Sequence, residues 1–393
     1  VLCINLFGRS YLSAVFLTLN LSKERMMNES FGRTRFSKNV AATTNARSLN
    51  PSRLFSPARS ITSTCGRVQV LQFVCTALIV LAAWPGTCAP SVALAQGARA
   101  SSQPRASNNA VKIAAPIVAV AQPAVPQLVD KETIVFGMKI HYVEAGSGPV
   151  VVLLHGLGGN SANWAFNINA LAQHYRVVVP DQLGFGRSDK PLINYRVATY
   201  VDFLDKFLDE LKIEKASLVG NSMGGWISAL YTLAHPSRVE RLVLVDAAGF
   251  RPPKEFDLKT LGGLNPSTRD AMRQLAALVF FNQKLFGSDA AIDLALTQRL
   301  TAGDGYTIQR LVESIADGDD MLDGRLNAIK QPTLIIWGRA DGLTPLAREG
   351  EKFRAEMPAA QFLVFDECGH VPQVEKASEF NAAVLKFLST APN

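Results

Sequence analysis

The chain has 393 residues, 48% hydrophobic and 19% charged, enough for one large core or two modest ones and too poor in cysteine, at five, for a disulfide-stapled miniprotein. Its formal net charge of +7 invites a nucleic-acid or membrane reading, yet residues 1–95 hold ten Lys/Arg against two acids, leaving 30 against 31 in the remainder. The basic character belongs to the N-terminal extension, so the rest offers no support for a nucleic-acid partner, and a single long uncharged apolar run excludes a polytopic membrane protein.

Residues 28–67 are rich in Ser, Thr and Arg and nearly free of acids. Val68 to Trp84 carries no charge, and Ala93-Leu94-Ala95 follows. Basic flank, apolar stretch and small-x-small exit predict a secretory signal cut after Ala95, giving a secreted or periplasmic product. The alternative is an uncleaved anchor through 68–84, at the short limit for ~30 Å of hydrocarbon. An Arg/Ser-rich transit peptide also fits, while Pro85 opposes a lipoprotein site at Cys88. The signal stands late in the chain, which makes Met26 or Met27 a candidate start. Residues 96–127 are Ala, Pro, Gln and Ser, with Pro104, Pro116, Pro123 and Pro126, and read as an extended tether.

From about Leu128 the texture changes. Thr133–Phe136 and Lys139–Glu144 predict a short strand pair around Gly137. Val150–Leu154 is a continuous β-branched run, as for a strand buried on both faces. Arg176–Val179, Ala216–Val219, Arg241–Val245, Thr333–Trp337 and Gln361–Phe365 repeat that character. Between them lie helical stripes: Val201, Phe203, Leu204, Phe207, Leu208 and Leu211; then Trp226, Ile227, Leu230, Tyr231 and Ala234; then Phe380, Val384, Phe387 and Leu388. The alternation predicts an α/β fold with a mostly parallel sheet covered on both faces, built from residues 128–248 and 331–393. Residues 249–330 break it: they hold helical patterns but no convincing strand, and are too long for an ordinary connection. They are expected to form a helical cap over the strand ends.

Gly220-Asn221-Ser222-Met223-Gly224 follows a strand and opens a helix, which fits a nucleophile elbow. Ser222 is the candidate nucleophile, and the Met223 N–H at the helix start a candidate oxyanion donor. His155-Gly156-Leu157-Gly158-Gly159 follows the buried strand, so the Leu157 N–H is the second donor, and His155 is expected to shape the loop and to lie near substrate. A phosphate-cradle reading fails, because the loop has neither dinucleotide spacing nor a G-K-[ST] ending.

A serine hydroxyl needs a base. Of five histidines, His370 in Asp366-Glu367-Cys368-Gly369-His370 follows the last strand and falls at the same sheet edge as Ser222. His141 reads as structural, and His174 and His235 stand at helix ends. The orienting acid is Asp341, after the strand ending at Trp337, with Asp246 as runner-up. Asp181 begins a loop that reads as structural. Cys368 reads as a small buried side chain. Phe280 and Phe281 would supply apolar cover for substrate, although such residues are more often core. No metal-ligand pattern and no cofactor motif occur.

These residues resemble the α/β-hydrolase superfamily over about Val135–Leu388. The resemblance rests on His155-Gly156, Asp181-x-x-Gly184-x-Gly186-x-Ser188, Gly220-x-Ser222-x-Gly224, Gly338-x-x-Asp341 and Gly369-His370, in order. It implies an eight-stranded, mostly parallel sheet, a Ser-Asp-His triad and a cap after the sixth strand. Within the family, Gly-Asn-Ser-Met-Gly-Gly and Cys-Gly-His resemble bacterial carboxylesterases and lipases, and also C–C bond hydrolases of ring-fission products. The latter usually carry a Ser-Gly-Pro-Gly loop and tryptophans after the histidine, where this chain has Leu157-Gly158-Gly159-Asn160 and Val371-Pro372-Gln373-Val374. The expectation is therefore a serine hydrolase of small carboxylic esters without cofactor, with C–C bond hydrolase, perhydrolase or lactonase as alternatives. A ligand-binding receptor is the non-enzymatic alternative. Oligomeric state is left open.

Overall fold

The computed structural model describes residues 126–252 and 258–390. The predicted signal segment, its Ala95 exit and the tether up to residue 125 lie outside them. Among the described residues no helix is long and apolar enough to cross a membrane.

Eight strands form one sheet: β1 (Val129–Val135), β2 (Met138–Ala145), β3 (Val150–Leu154), β4 (Arg176–Pro180), β5 (Ala216–Asn221), β6 (Val239–Val245), β7 (Thr333–Gly338) and β8 (Gln361–Phe365). Their order is β1-β2-β4-β3-β5-β6-β7-β8. The β1–β2 and β2–β4 pairs are antiparallel, and all others are parallel. This is the expected architecture. The Val/Ile/Leu runs of β3 to β7 suit strands that have helices on both sides and no face left for water. In β5 and β7 every residue is buried.

The longer helices are α1 (Val197–Glu210), α2 (Met223–Ala234), α3 (Arg269–Val279), α4 (Asp289–Thr301), α5 (Gly305–Asp317) and α6 (Ala377–Ser389). On one face of the sheet α1 and α2 close a core containing Leu204, Phe207, Ile227 and Tyr231. On the other, Phe380, Val384 and Phe387 of α6 join Trp164, Ile168 and Leu171. Burying such a side chain contributes roughly 1.5–3 kcal/mol, and these two clusters provide most of the apolar burial.

Strand order places the site. The chain leaves β3 towards β4 on one side and returns to β5 on the other side of β3. Connections diverge at such a reversal and leave a crevice beyond the carboxyl ends of the strands. The loops after β3 and β5 are the ones that carry His155–Gly159 and Ser222. Between β6 and β7 the described residues contain helices and no strand.

Candidate active site

Ser222 stands between β5 and α2 with φ 57° and ψ −120°. A non-glycine residue there is strained by roughly 1–3 kcal/mol. The flanking glycines permit it. A Cβ on Gly220 would overlap the Gly224 carbonyl, and a Cβ on Gly224 would overlap the Leu154 carbonyl. The elbow is pinned by Ser222 N–H to Val245 O at 2.9 Å and Ala248 N–H to Ser222 O at 3.1 Å.

The β3 loop lies directly against this turn. An ideal Cβ on Gly156 would stand 3.0 Å from Ser222 Cβ and 3.5 Å from its Oγ. Among the described residues neither the Leu157 N–H nor the Met223 N–H has an intramolecular acceptor, so both donors are available at this corner. His155 lies at the base of this loop. It is fully buried. Its Nδ1–H donates to Gly156 O at 2.8 Å, and its Nε2 accepts the Gln182 N–H at 3.0 Å. Burial holds the ring below the usual imidazole range, against the pull of Gly156 and Asp181. With both nitrogens engaged, it ties the loop to Gln182.

His370 follows β8 and is almost fully buried, at 4% exposure. Its Nδ1–H donates to Asp341 Oδ2 at 2.8 Å. That leaves Nε2 as the basic nitrogen. Its loop is tied to the elbow by Asn221, whose side-chain amide donates to His370 O at 3.0 Å and to Val245 O at 3.1 Å. The His370 N–H donates to Val279 O of α3 at 2.7 Å, so the insert contacts this loop directly.

Asp341 has four donors. Its Oδ1 accepts the Leu343 and Thr344 N–H groups at 2.8 and 3.0 Å, and its Oδ2 accepts the Thr344 hydroxyl at 2.6 Å besides His370. Burial pushes its carboxyl up, but the His370 charge and these bonds prevail and hold it below the usual range. Asp246, the runner-up acid, is fully buried beside it, and no hydrogen bond joins its side chain to His370.

Sequence reasoning missed three participants. Thr344 is signalled in retrospect by Asp341-Gly-Leu-Thr344, a spacing that lets an Asp side chain cap its own turn. Glu375 accepts the Gly369 N–H at 2.7 Å and the Phe281 and Asn282 N–H groups at 3.0 Å, joining the base loop to the insert. Arg299 in α4, 9% exposed and paired with Asp304, has its Nη1 2.9 Å from where a Cβ on Gly158 would stand. Nothing local in the sequence signals those two roles, because Gly158 and the Phe281 and Asn282 amides lie far along the chain from Arg299 and Glu375.

The remaining candidates are structural in their contacts. Asp181 accepts Ser161 N–H at 2.7 Å, Arg187 N–H at 2.8 Å and His141 Nδ1–H at 2.9 Å. Burial opposes ionisation there, but those donors hold the carboxyl well below its usual range. Cys368 is buried, and burial foremost pushes its thiol far up, leaving it unreactive. Phe280 stacks on Phe286 with centroids 4.1 Å apart, whereas Phe281 is 47% exposed.

Residues 149–377 match the family described as alpha/beta hydrolase fold. The chain is 34% identical over 274 residues to 2-hydroxymuconate semialdehyde hydrolase of Pseudomonas sp. (strain CF600), covering 67% of this chain and 95% of that protein. It is similar to a solved membrane phospholipase A described as a bacterial virulence factor, with TM-score 0.59, 30% identity, and coverage of 66% of this chain and 86% of that one. It is also similar to the meta-cleavage product hydrolase CumD from Pseudomonas fluorescens IP01, with TM-score 0.57, 32% identity, and coverage of 66% and 97%. A strained serine between two obligatory glycines, a histidine bonded to a buried aspartate, and a matching profile across sheet and insert agree: this chain belongs to the alpha/beta hydrolase family.

Proposed function

We propose that this hydrolase attacks the ketone carbon of a carboxylate-bearing oxo-dienoate through Ser222 and breaks the adjacent C–C bond. His370 Nε2 takes the Ser222 proton as Oγ adds to the carbonyl. The Leu157 and Met223 N–H groups hold the resulting oxyanion, where loss of one donor typically costs roughly 10²–10³ in rate. Asp341 keeps the ring in the Nδ1–H tautomer and stabilises the imidazolium. The dienol first shifts its hydroxyl proton to the carbon next to the ketone, giving the keto form; on collapse the C–C electron pair then runs through the enone to the 2-oxo group, and His370 gives its proton to that enolate oxygen. Water, deprotonated by His370, then attacks the acyl-enzyme and releases Ser222 and a carboxylic acid.

The observation that carries the substrate class is Arg299. Its guanidinium spends Nη2 on buried Asp304 and turns Nη1 towards Gly158, and that second donor suits a substrate whose carboxylate must be held while its electrons are rearranged. The similarity to hydrolases of 2-hydroxymuconate semialdehyde and of meta-cleavage products supports the same reading.

A second reading, hydrolysis of carboxylic esters, is favoured by the likeness to a phospholipase A and by His370-Val371-Pro372-Gln373, which lacks the tryptophans usual in C–C hydrolases. It uses the same residues with an alkoxide leaving group. The two separate on one measurement: kcat/KM of the full chain for a 2-hydroxy-6-oxo-dienoate against a chain-length panel of p-nitrophenyl esters. The first reading expects the dienoate to win by about 100-fold, and R299Q to lower only the dienoate value, by about 10-fold or more. Esters preferred, with R299Q silent, would establish the second. Absence of fluorophosphonate labelling at Ser222 together with no turnover would sink both and leave a ligand-binding role.

A further inference from the structure

Asp246 directly follows β6 in the left-handed region, at φ 42°, with its side chain completely buried. Its Oδ1 accepts the Gly338 N–H at 2.9 Å, while its Oδ2 is buried without any hydrogen-bond partner. Ligand atoms of Asp246, Asp341 and His370 lie within 4.8 Å of one another. Two carboxylates that close, in a site closed to water, share one negative charge rather than carrying two. Which of them holds the proton follows from the donors each receives. Asp341 has four, including the imidazole, and Asp246 has one.

We propose that Asp246 is a positioning residue: as a neutral carboxylic acid it donates its O–H from Oδ2 to the Asp341 carboxylate and so fixes the acid that orients His370. The otherwise unsatisfied Oδ2 then has a partner, and the site keeps a single negative charge opposite the single positive charge that forms on His370 during turnover. The bond also draws electron density from Asp341, which keeps that carboxylate from taking the imidazolium proton. Burial, then the Asp341 charge, raise the Asp246 carboxyl well above its usual range, in agreement with this arrangement. The titratable groups facing Asp246 are Asp341, His370, Cys368 and Glu375.

The inference rests on the Ser222, His370 and Asp341 reading, and its test is readable without it. An infrared spectrum of the full chain at neutral pH should show the C=O band of a buried protonated carboxylic acid, lost in D246N. In kinetics, the side-chain amide introduced by D246N can still donate to Asp341 and accept from Gly338, so this variant should stay within about threefold of wild type in kcat/KM, with an unaltered acid limb. D246A, which cannot donate, should lose about 10-fold or more in kcat and shift that limb, while D341N should lose about 10⁴-fold. No such band in the wild type, or a D246N loss as large as that of D341N, overturns the proposal. The band is read on the wild-type protein, so it decides the matter even if a variant fails to fold. Failure of Ser222 to take a fluorophosphonate would instead defeat the parent reading.

Discussion

The central strands of the sheet and helices α3 and α4 of the insert are packed to different depths. In β5 and β7 every side chain is buried, whereas α3 buries Met272 and Ala276 and α4 buries Ile292 alone. The sheet holds Ser222 and Asp246 in strained backbone and brings Asp341 and His370 within 2.8 Å. The insert reaches those loops through a few contacts: Val279 O on His370 N–H, Leu278 O on Gly342 N–H, and the Glu375 carboxylate on the Phe281 and Asn282 amides. The central strands hold the Ser222, Asp341 and His370 loops in tight packing, whereas α3 and α4 leave most of their side chains less deeply buried.

The largest expected effect breaks the tightly packed half. Replacing Ser222 by Ala should lower kcat about 10⁴-fold or more while leaving Tm unchanged or slightly raised. A wild-type rate in S222A would remove the serine from the reaction.

A purely structural break comes next. Asp181 is buried, and three donors from three separate segments converge on it. D181N should cost about 3–5 kcal/mol in urea unfolding, because a buried charge network is left mismatched. The carboxyl is held below its ordinary value, so its contribution is present above pH ~4 and is lost as pH falls towards the lowered folded-state value. Wild-type stability should therefore decline in acid more steeply than that of D181N. Parallel pH dependence in the two proteins would contradict the assignment.

The smallest effect sharpens the less deeply buried half. Phe281 is 47% exposed, and its backbone N–H, not its ring, bonds to Glu375. F281A should change unfolding free energy by less than about 0.5 kcal/mol and, if the ring covers substrate, raise KM several-fold with kcat nearly constant. Equal loss of kcat and kcat/KM would place Phe281 in the transition state instead.

Much of the fold was legible. Val150–Leu154 and Gln361–Phe365 are strands at the predicted limits, because short runs of β-branched, aromatic and other apolar residues suit a pleated strand packed on its neighbours. β1 was read short, from Thr133, whereas it begins at Val129. Asp130, Lys131 and Glu132 look like loop residues, yet at a sheet edge their backbones pair with β2 while their side chains stay in water, and Lys131 meets Glu144 at 2.9 Å. In the site, Ser222, Asp341 and His370 were identifiable because each follows a strand with the glycines its turn requires. For His155, the sequence position beside the Gly156–Gly159 loop was clear, but its buried bonds to Gly156 and Gln182 were not.

The sequence by itself determined the alternation of strand and helix, the tight glycine-flanked turn around Ser222 and the order Ser222, Asp341, His370, each after a strand. Those features follow from hydrophobic period and glycine placement, which are local. Only the tertiary structure decided that Asp341 and not Asp246 receives the imidazole, that Arg299 of the insert stands beside Gly158, and that Glu375 joins the insert to the base loop. Each depends on which groups from segments remote in sequence are brought side by side, and that is set by packing in three dimensions.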